Sequence, residues 1–182
     1  MTKALIVIDI QNDYFPGGKM ELVGSVEAAV RASSVQALFR EHGYPVLHIK
    51  HFALSPNATF FLPNTWGVEI NESVAPITAE LIIIKHYPNS FRETVLGQIL
   101  ANLQIKDLVV VGMMTHMCID TSVRAANDLG FNVTLVSDAC ATKNLNFNGV
   151  EIEAAAVQGA YLAAIDGSFA KVVTAAELVE LI

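Results

Sequence analysis

The chain has 182 residues and a formal net charge of −7 at pH 7, with 53% hydrophobic and 16% charged residues. This length and composition favour one ordered globular domain, which we expect to span residues 1–182. Its eleven Lys and Arg residues are scattered, so the chain lacks the basic patch on which nucleic-acid binding depends.

The N-terminal run ALIVIDI is too short for a secretory signal and is interrupted by Asp9. No window approaches the roughly 18 apolar residues of a membrane span. Cys118 and Cys140 are the only cysteines, too few for a disulfide scaffold. We therefore expect a cytoplasmic protein with both thiols reduced and no contact with membranes.

Short apolar runs alternate with segments of helical spacing. This alternation predicts an α/β fold, a three-layer Rossmann-like sandwich in which helices cover both faces of a six-stranded parallel sheet. Ser25 precedes an alanine-rich amphipathic stretch, and Ser90 with Glu93 and Thr174 with Glu177 have the spacing of capping boxes, which predicts helix starts there. The predicted strands are Ala4–Ile8, Val46–Ile49, Leu81–Ile84, Leu108–Val111, Val133–Val136 and Val172–Val173.

The connection from Phe52 to Glu80 is unusually long and holds three prolines together with Phe60, Phe61 and Trp66. Loops of this length typically serve as lids or pocket walls. The alternative is a surface loop whose aromatic side chains cover an edge of the core.

Three strands carry a reactive residue at or near their carboxyl ends, where open parallel sheets bind ligands. The first ends in Asp9, the third in Lys85, and the fourth leads through Gly112 to Cys118 at the start of the next helix. Singly, each has an ordinary structural explanation: a carboxylate bound by backbone amides, a solvated lysine and a small buried thiol.

Together, Asp9, Lys85 and Cys118 form a chemically coherent set. A thiol attacks as thiolate, and a nearby cation and a helix N-terminus both lower its pKa. Lys85 would supply the cation, while Asp9 would accept the thiol proton and later deliver it to a leaving nitrogen.

These residues lie in three segments, ALIVIDIQNDYFPGG, IIIKHYPNSFRETVL and VVVGMMTHMCIDTSVRAANDLGFNVTLVSDACAT. The chain resembles, over nearly its whole length, the isochorismatase-like cysteine hydrolases, which include nicotinamidases, N-carbamoylsarcosine amidohydrolases and isochorismatases. The resemblance implies a catalytic triad of Asp9, Lys85 and Cys118 and a six-stranded parallel sheet. It also implies a cis peptide between Met113 and Met114, and an oxyanion hole made by the amides of Met114 and Cys118.

The resemblance to the nicotinamidases does not extend to their metal ligands, an Asp-x-His pair and a further His after the second strand. This chain reads LHIKHFAL there, and Lys50 occupies a position where a ligand is needed. His48 and His51 fall on opposite faces of a strand because side chains alternate. We expect two ordinary strand-end histidines, no metal site and no cofactor.

The retained thiol favours hydrolysis of a C–N bond in a small amide, ureide or carbamoyl substrate through a thioester. Two alternatives stay open: vinyl ether hydrolysis with Asp9 as the acid, and a small-molecule binding domain without catalysis. The resemblance also implies a homo-oligomer, with contacts expected around 154–165 and 175–182. Pocket residues predicted for a small, flat, partly apolar substrate are Phe15, Phe60, Phe61, Trp66, Tyr87 and His116.

Overall fold

Residues 3–182 are described in a computed structural model whose centre is a six-stranded sheet in the order β3-β2-β1-β4-β5-β8. Every neighbouring pair in this sheet is parallel, so the predicted six-stranded parallel sheet is confirmed. Its strands are β1 Lys3–Ile8, β2 Val46–His51, β3 Leu81–Lys85, β4 Asp107–Met113, β5 Asn132–Ala141 and β8 Lys171–Val173.

Helices cover both faces of the sheet, as predicted. Successive β1 side chains enter different cores because they alternate along a strand: Leu5 and Val7 pack with helix α1, whereas Ile6 and Ile8 pack with α2 and α3. The helices are α1 Ser25–Glu41, α2 Leu96–Asn102, α3 Asp120–Asp128, α4 Ala154–Ile165 and α5 Ala175–Val179. Within residues 3–182, none of them is both long and apolar enough to cross a bilayer.

One of the two predicted capping boxes is wrong. Thr174 and Glu177 form a complete capping box at the start of α5. By contrast, Ser90 starts no helix: its amide donates to the hydroxyl of Ser122 at 3.0 Å, and α2 begins only at Leu96. Glu93, at φ 56°, is outside helical backbone geometry. A tertiary hydrogen bond has therefore taken the place of the local cap.

A small antiparallel hairpin lies outside the predicted elements. It comprises β6 Leu145–Phe147 and β7 Val150–Ile152. Asn148 and Gly149 connect the two strands, and both have positive φ angles, 52° and 80°. Asn-Gly is a strong sequence signal for a two-residue hairpin turn, so this hairpin could have been predicted from the sequence.

Candidate active site

The strand order places the predicted triad along one edge of the sheet. Lys85 ends β3, Asp9 follows β1, and β2 lies between them. The last residue of β2 is His51, which pairs in register with Lys85. The edge therefore presents Lys85, His51 and Asp9 on three neighbouring strands, and Cys118 follows the next strand, β4.

Asp9 and Lys85 form a buried ion pair. Their Oδ2 and Nζ atoms are 2.7 Å apart, and both side chains are 0% exposed. Burial raises the pKa of the Asp9 carboxyl, but the charge of Lys85, together with His51, outweighs burial and brings it below its usual value. Burial likewise lowers the pKa of Lys85, and Asp9 more than compensates. Asp9 is therefore a carboxylate and Lys85 an ammonium at neutral pH.

Cys118 lies beside this ion pair on a turn of π-helix, Thr115–Ile119, which continues directly into α3. Its Sγ and a carboxylate oxygen of Asp9 are within 4.8 Å of each other. Burial raises the pKa of the Cys118 thiol far above its usual range; Asp9 raises it further, and Lys85 only opposes them. Lys85 therefore shifts the thiol pKa in the predicted direction, but burial and Asp9 outweigh it, which favours the thiol form of Cys118 in the resting site.

Gly112 lets β4 approach β1 closely just before the π-helical turn. It pairs in register with Ile8, has φ 134°, and a Cβ there would collide with the Ile8 carbonyl oxygen. Since Asp9 follows Ile8, this close approach brings the two reactive segments together. The peptide bond between Met113 and Met114 is cis, at the position that the resemblance implies. The role of the Met114 and Cys118 amides stays a prediction.

His51 is the site residue that the sequence analysis missed, because it was interpreted as an ordinary strand-end histidine. Its Nδ1 lies 3.8 Å from Oδ2 of Asp9 and has no hydrogen-bond partner within residues 3–182. Its ring packs against Phe61, with centroids 5.7 Å apart. The available signal was the position of His51 just after the second predicted strand, at the end of the sheet where Asp9 and Lys85 were also predicted.

The neighbouring residues do not fit the metal site of the nicotinamidases. His48 points to the other face of β2, as expected, and its Nε2 lies 3.0 Å from Oε2 of Glu80. Lys50 donates to Glu69 at 2.6 Å. No Asp-x-His pair stands at the end of β2.

The residues after Asp9 hold the long 52–80 loop in place. The side chain of Gln11 accepts from the amide of His51 at 2.7 Å and donates to its carbonyl at 3.0 Å and to that of Val68 at 2.8 Å. Asp13 accepts from the amide of Phe61 at 2.6 Å. Since Gln11 and Asp13 are buried, this loop is docked against the β1 side of the site.

Phe60 and Phe61 are predicted pocket residues that pack beside the candidate site through His51 and Tyr14. Phe61 packs on His51 and on Tyr14, with centroids 4.7 Å apart in the second pair, and Phe60 packs on both Phe61 and Tyr14. Tyr14 was not predicted; burial, then Cys118 and Asp9, raise its pKa well above the usual value. Tyr14 therefore faces the same electrostatic environment as the triad.

The other predicted pocket residues have partners elsewhere. Phe15 and Trp66 line a surface cavity of about 520 Å³ whose lining includes no triad residue. The ring of Tyr87 lies 3.7 Å from the Arg92 guanidinium, and His116 hydrogen-bonds Thr142 at 2.6 Å. Their contact with substrate stays a prediction.

Comparisons with known proteins identify the family of the chain. The family model described as Isochorismatase domain matches residues 3–177. The isochorismatase family protein YddQ of Bacillus subtilis is 49% identical over 174 residues, covering 96% of this chain and 97% of YddQ. Nicotinamidase 3 of Arabidopsis thaliana is 29% identical over 170 residues, with coverages of 90% and 85%.

A crystal structure of an isochorismatase hydrolase from Oleispira antarctica superposes with a TM-score of 0.95 at 46% identity, covering 98% of this chain and 96% of that one. Family model, relatives and fold agree over nearly the whole chain. The chain therefore belongs to the isochorismatase family of hydrolases.

Proposed function

We propose that this protein is a cysteine hydrolase that cleaves a C–N bond of a small amide, ureide or carbamoyl compound. The observation that carries the proposal is the buried Asp9–Lys85 pair, 2.7 Å long, beside the Cys118 thiol. A carboxylate kept ionised next to a protonated thiol is a base and a nucleophile within reach of each other, which is the arrangement that covalent catalysis needs.

In the proposed first half-reaction, Asp9 accepts the Cys118 proton while Sγ attacks the substrate carbonyl carbon. The charge that develops on the carbonyl oxygen is bound by the amides of Met114 and Cys118, each worth about 3 kcal/mol of barrier. When the tetrahedral intermediate collapses, Asp9 returns the proton to the departing nitrogen. The C–N bond breaks and a thioester on Cys118 remains.

In the second half-reaction, water attacks the thioester carbon and Asp9 accepts a proton from it. The C–S bond breaks, the acid product leaves, and the proton on Asp9 returns to the thiolate. Lys85 keeps Asp9 ionised at the start of each half-reaction and stabilises the transient thiolate through its charge. The reaction requires no metal ion or cofactor.

The ion pair also bears on the alternative reaction, protonation of a vinyl ether by Asp9. That reaction requires a protonated carboxyl in the resting site, whereas Lys85 lowers the pKa of Asp9. The relative named nicotinamidase also favours an amide substrate.

Since Cys118 must stay reduced to act, we place the protein in the cytoplasm.

The test is a screen of small amides, ureides, carbamoyl compounds and isochorismate, followed by three variants on the substrate found. Cys118→Ala should abolish turnover and the acyl adduct seen by mass spectrometry after rapid quenching. Asp9→Asn should lose about 10²–10⁴-fold in rate, as expected for a general acid–base group. Cys140→Ala is the matched control, because Cys140 is buried and its Sγ contacts the carbonyl of Val136 at 3.3 Å, away from the triad. Near wild-type hydrolysis by Cys118→Ala would eliminate thiol catalysis.

We also propose that the protein self-associates through the α4 side of the fold. The exposed face of α4 consists of small residues, among them Ala155, Gly159 and Ala163, and Phe147 and Val150 of the nearby hairpin are 69% and 64% exposed. Such apolar surface is typical of protein contacts. Light scattering at micromolar concentration should give a mass above 19.6 kDa; a monomer would contradict the proposal.

A further inference from the structure

We propose that Cys118, His51 and Asp9 form a zinc site, and that zinc bound there reversibly inhibits the enzyme. The inhibitory effect rests on the proposed function, because the thiol that the metal binds is the proposed nucleophile. Metal binding itself requires no substrate, so it can be tested separately from hydrolysis.

The geometry of the cluster is close to that of a coordination sphere. One thiol sulfur, one imidazole nitrogen and one carboxylate oxygen all lie within 4.8 Å of one another, and His51 Nδ1 is 3.8 Å from Asp9 Oδ2. Ligand atoms of a tetrahedral zinc ion, each about 2.0–2.3 Å from the metal, are roughly 3.3–3.8 Å apart. Contraction of the cluster by about 1 Å would therefore bring all three atoms into bonding distance.

Two of these side chains have unused bonding capacity. Among the residues that the structure describes, neither His51 Nδ1 nor Asp9 Oδ1 has a hydrogen-bond partner, although both atoms are buried. Buried polar atoms usually have partners, and exceptions require an explanation. A cation held between these atoms and the thiol would satisfy both.

The donor types select the metal. Thiolate, imidazole and carboxylate are all established zinc ligands, whereas calcium and magnesium require oxygen donors. Three protein ligands would leave a fourth position for water. This set differs from the Asp-x-His type described above, because His48 and Lys50 take no part in it.

Binding would block both reacting groups. A Zn–S bond forms as the thiol proton is released to solvent, and the metal then occupies the sulfur lone pair and the Asp9 carboxylate. Lys85, which pairs with Asp9 at 2.7 Å, would repel the incoming dication. This repulsion should keep zinc affinity moderate and the inhibition reversible by a chelator.

The first experiment titrates the full chain, stripped of metal with EDTA and desalted, with cobalt chloride followed by zinc chloride. We expect one equivalent of cobalt, a sulfur-to-cobalt charge-transfer band, and loss of that band when zinc displaces cobalt. Absence of binding, or binding without a thiolate band, would overturn the proposal.

Variants assign the ligands. Cys118→Ser should remove the charge-transfer band, and His51→Gln should weaken binding by at least the roughly 10–100-fold that loss of an outer-shell partner costs. The matched controls Cys140→Ser and His42→Gln should bind as wild type does, since neither residue belongs to the cluster. Lys85→Met should tighten zinc binding, the opposite of its expected effect on hydrolysis. Unchanged affinity in Cys118→Ser would show adventitious surface binding and refute the site.

A further measurement uses only the wild-type chain, so it tests the zinc site even where a variant fails to fold. One equivalent of zinc should slow the iodoacetamide labelling of Cys118 at least tenfold, the lower end of the roughly 10–100-fold range used above. The labelling rate is measured by peptide mass spectrometry. Addition of EDTA should restore it. Labelling that zinc leaves unchanged, or turnover that zinc increases, would contradict an inhibitory site. If the wild-type chain binds zinc but the Cys118→Ala variant still hydrolyses substrate, the proposed function is refuted and the metal site is not.

Discussion

Nζ of Lys85 lies 2.7 Å from Oδ2 of Asp9, although a third strand, β2, separates the two strands that carry these residues. Both side chains are fully buried. A buried charge without its partner is strongly destabilising, typically by about 3–5 kcal/mol. The ion pair therefore links the stability of this edge of the sheet to the electrostatics of the candidate site.

The first prediction concerns that coupling. Lys85→Met should lower the free energy of unfolding by about 3–5 kcal/mol because it leaves the Asp9 charge unpaired. Adding Asp9→Asn should restore part of the loss, because no buried charge then remains. Urea unfolding of the two single variants and the double variant measures the coupling, with exposed Lys106→Met as control. Strictly additive losses would show that the pair is not coupled.

The second prediction concerns the reactivity of the thiol without substrate. Burial and Asp9 raise the pKa of Cys118 far above its usual range, so its labelling by iodoacetamide should still be accelerating at pH 9 with no plateau near neutrality. Because Lys85 opposes that rise, Lys85→Met should slow labelling further at every pH. The rates are measured by mass spectrometry of the Cys118 peptide under native conditions. A plateau below pH 7 would instead indicate a preformed thiolate.

The third prediction follows from the close approach at Gly112. In Gly112→Ala the new Cβ would meet the Ile8 carbonyl oxygen, and φ 134° is unfavourable for a residue with a side chain. The strands must separate, so we expect both a lower melting temperature and a loss of hydrolysis. Gly97→Ala, in helix α2, is the matched control, because the nearest neighbour given for its new Cβ is Cδ1 of Phe91 at 4.0 Å, an ordinary van der Waals contact. Equal behaviour of the two variants would contradict the role of Gly112.

The fourth prediction concerns acid stability. Glu80 accepts two hydrogen bonds from Arg40, at 2.7 and 2.8 Å. Burial raises the pKa of Glu80, but Arg40, His48 and the amide of Ile77 outweigh it and lower the pKa from 4.5 to about 2. A lowered folded-state pKa stabilises the protein above the unfolded value, and this stabilisation is lost as pH falls from about 4.5 toward 2.

The expected contribution of Glu80 is about 2–3 kcal/mol near neutral pH, comparable with other salt-bridged carboxylates. Glu80→Gln should therefore be less stable than wild type at pH 6, and the difference should narrow by pH 3. Urea midpoints at both pH values measure it. The control is Glu72→Gln, since Glu72 is exposed in the same loop. A difference that is constant with pH would exclude this ionic contribution.

Strand positions could be predicted because the buried strands are nearly continuous apolar runs, such as Leu5–Ile8 in β1. Their ends then indicated Asp9 and Lys85. His51 could not be placed in the same way, because alternation assigns it a face of β2 but not its neighbours. Those neighbours depend on the order of the strands in the sheet. That order is set by crossover connections between strands that are distant in the sequence.

The net pKa of Cys118 was equally beyond the sequence. A lysine and a helix start both suggest a thiolate, but the depth of burial decides the sign, and burial is a property of the assembled fold. Ser90 shows the same limitation, since its partner Ser122 lies 32 residues away. Local signals succeeded where no distant group competed for the same side chain, as at Thr174.

Gln11 has no acid–base chemistry, yet its carboxamide binds both the amide and the carbonyl of His51 and also the carbonyl of Val68. It thus acts as a surrogate peptide unit that continues hydrogen bonding between β1 and β2 beyond the point where their ladder ends. The separation of Asp9 from His51 is consequently set by the length of one glutamine side chain. An isosteric glutamate would direct oxygens toward two carbonyls and push β1 and β2 apart at this end, so the distance between Asp9 and His51 depends on a residue outside the reacting set.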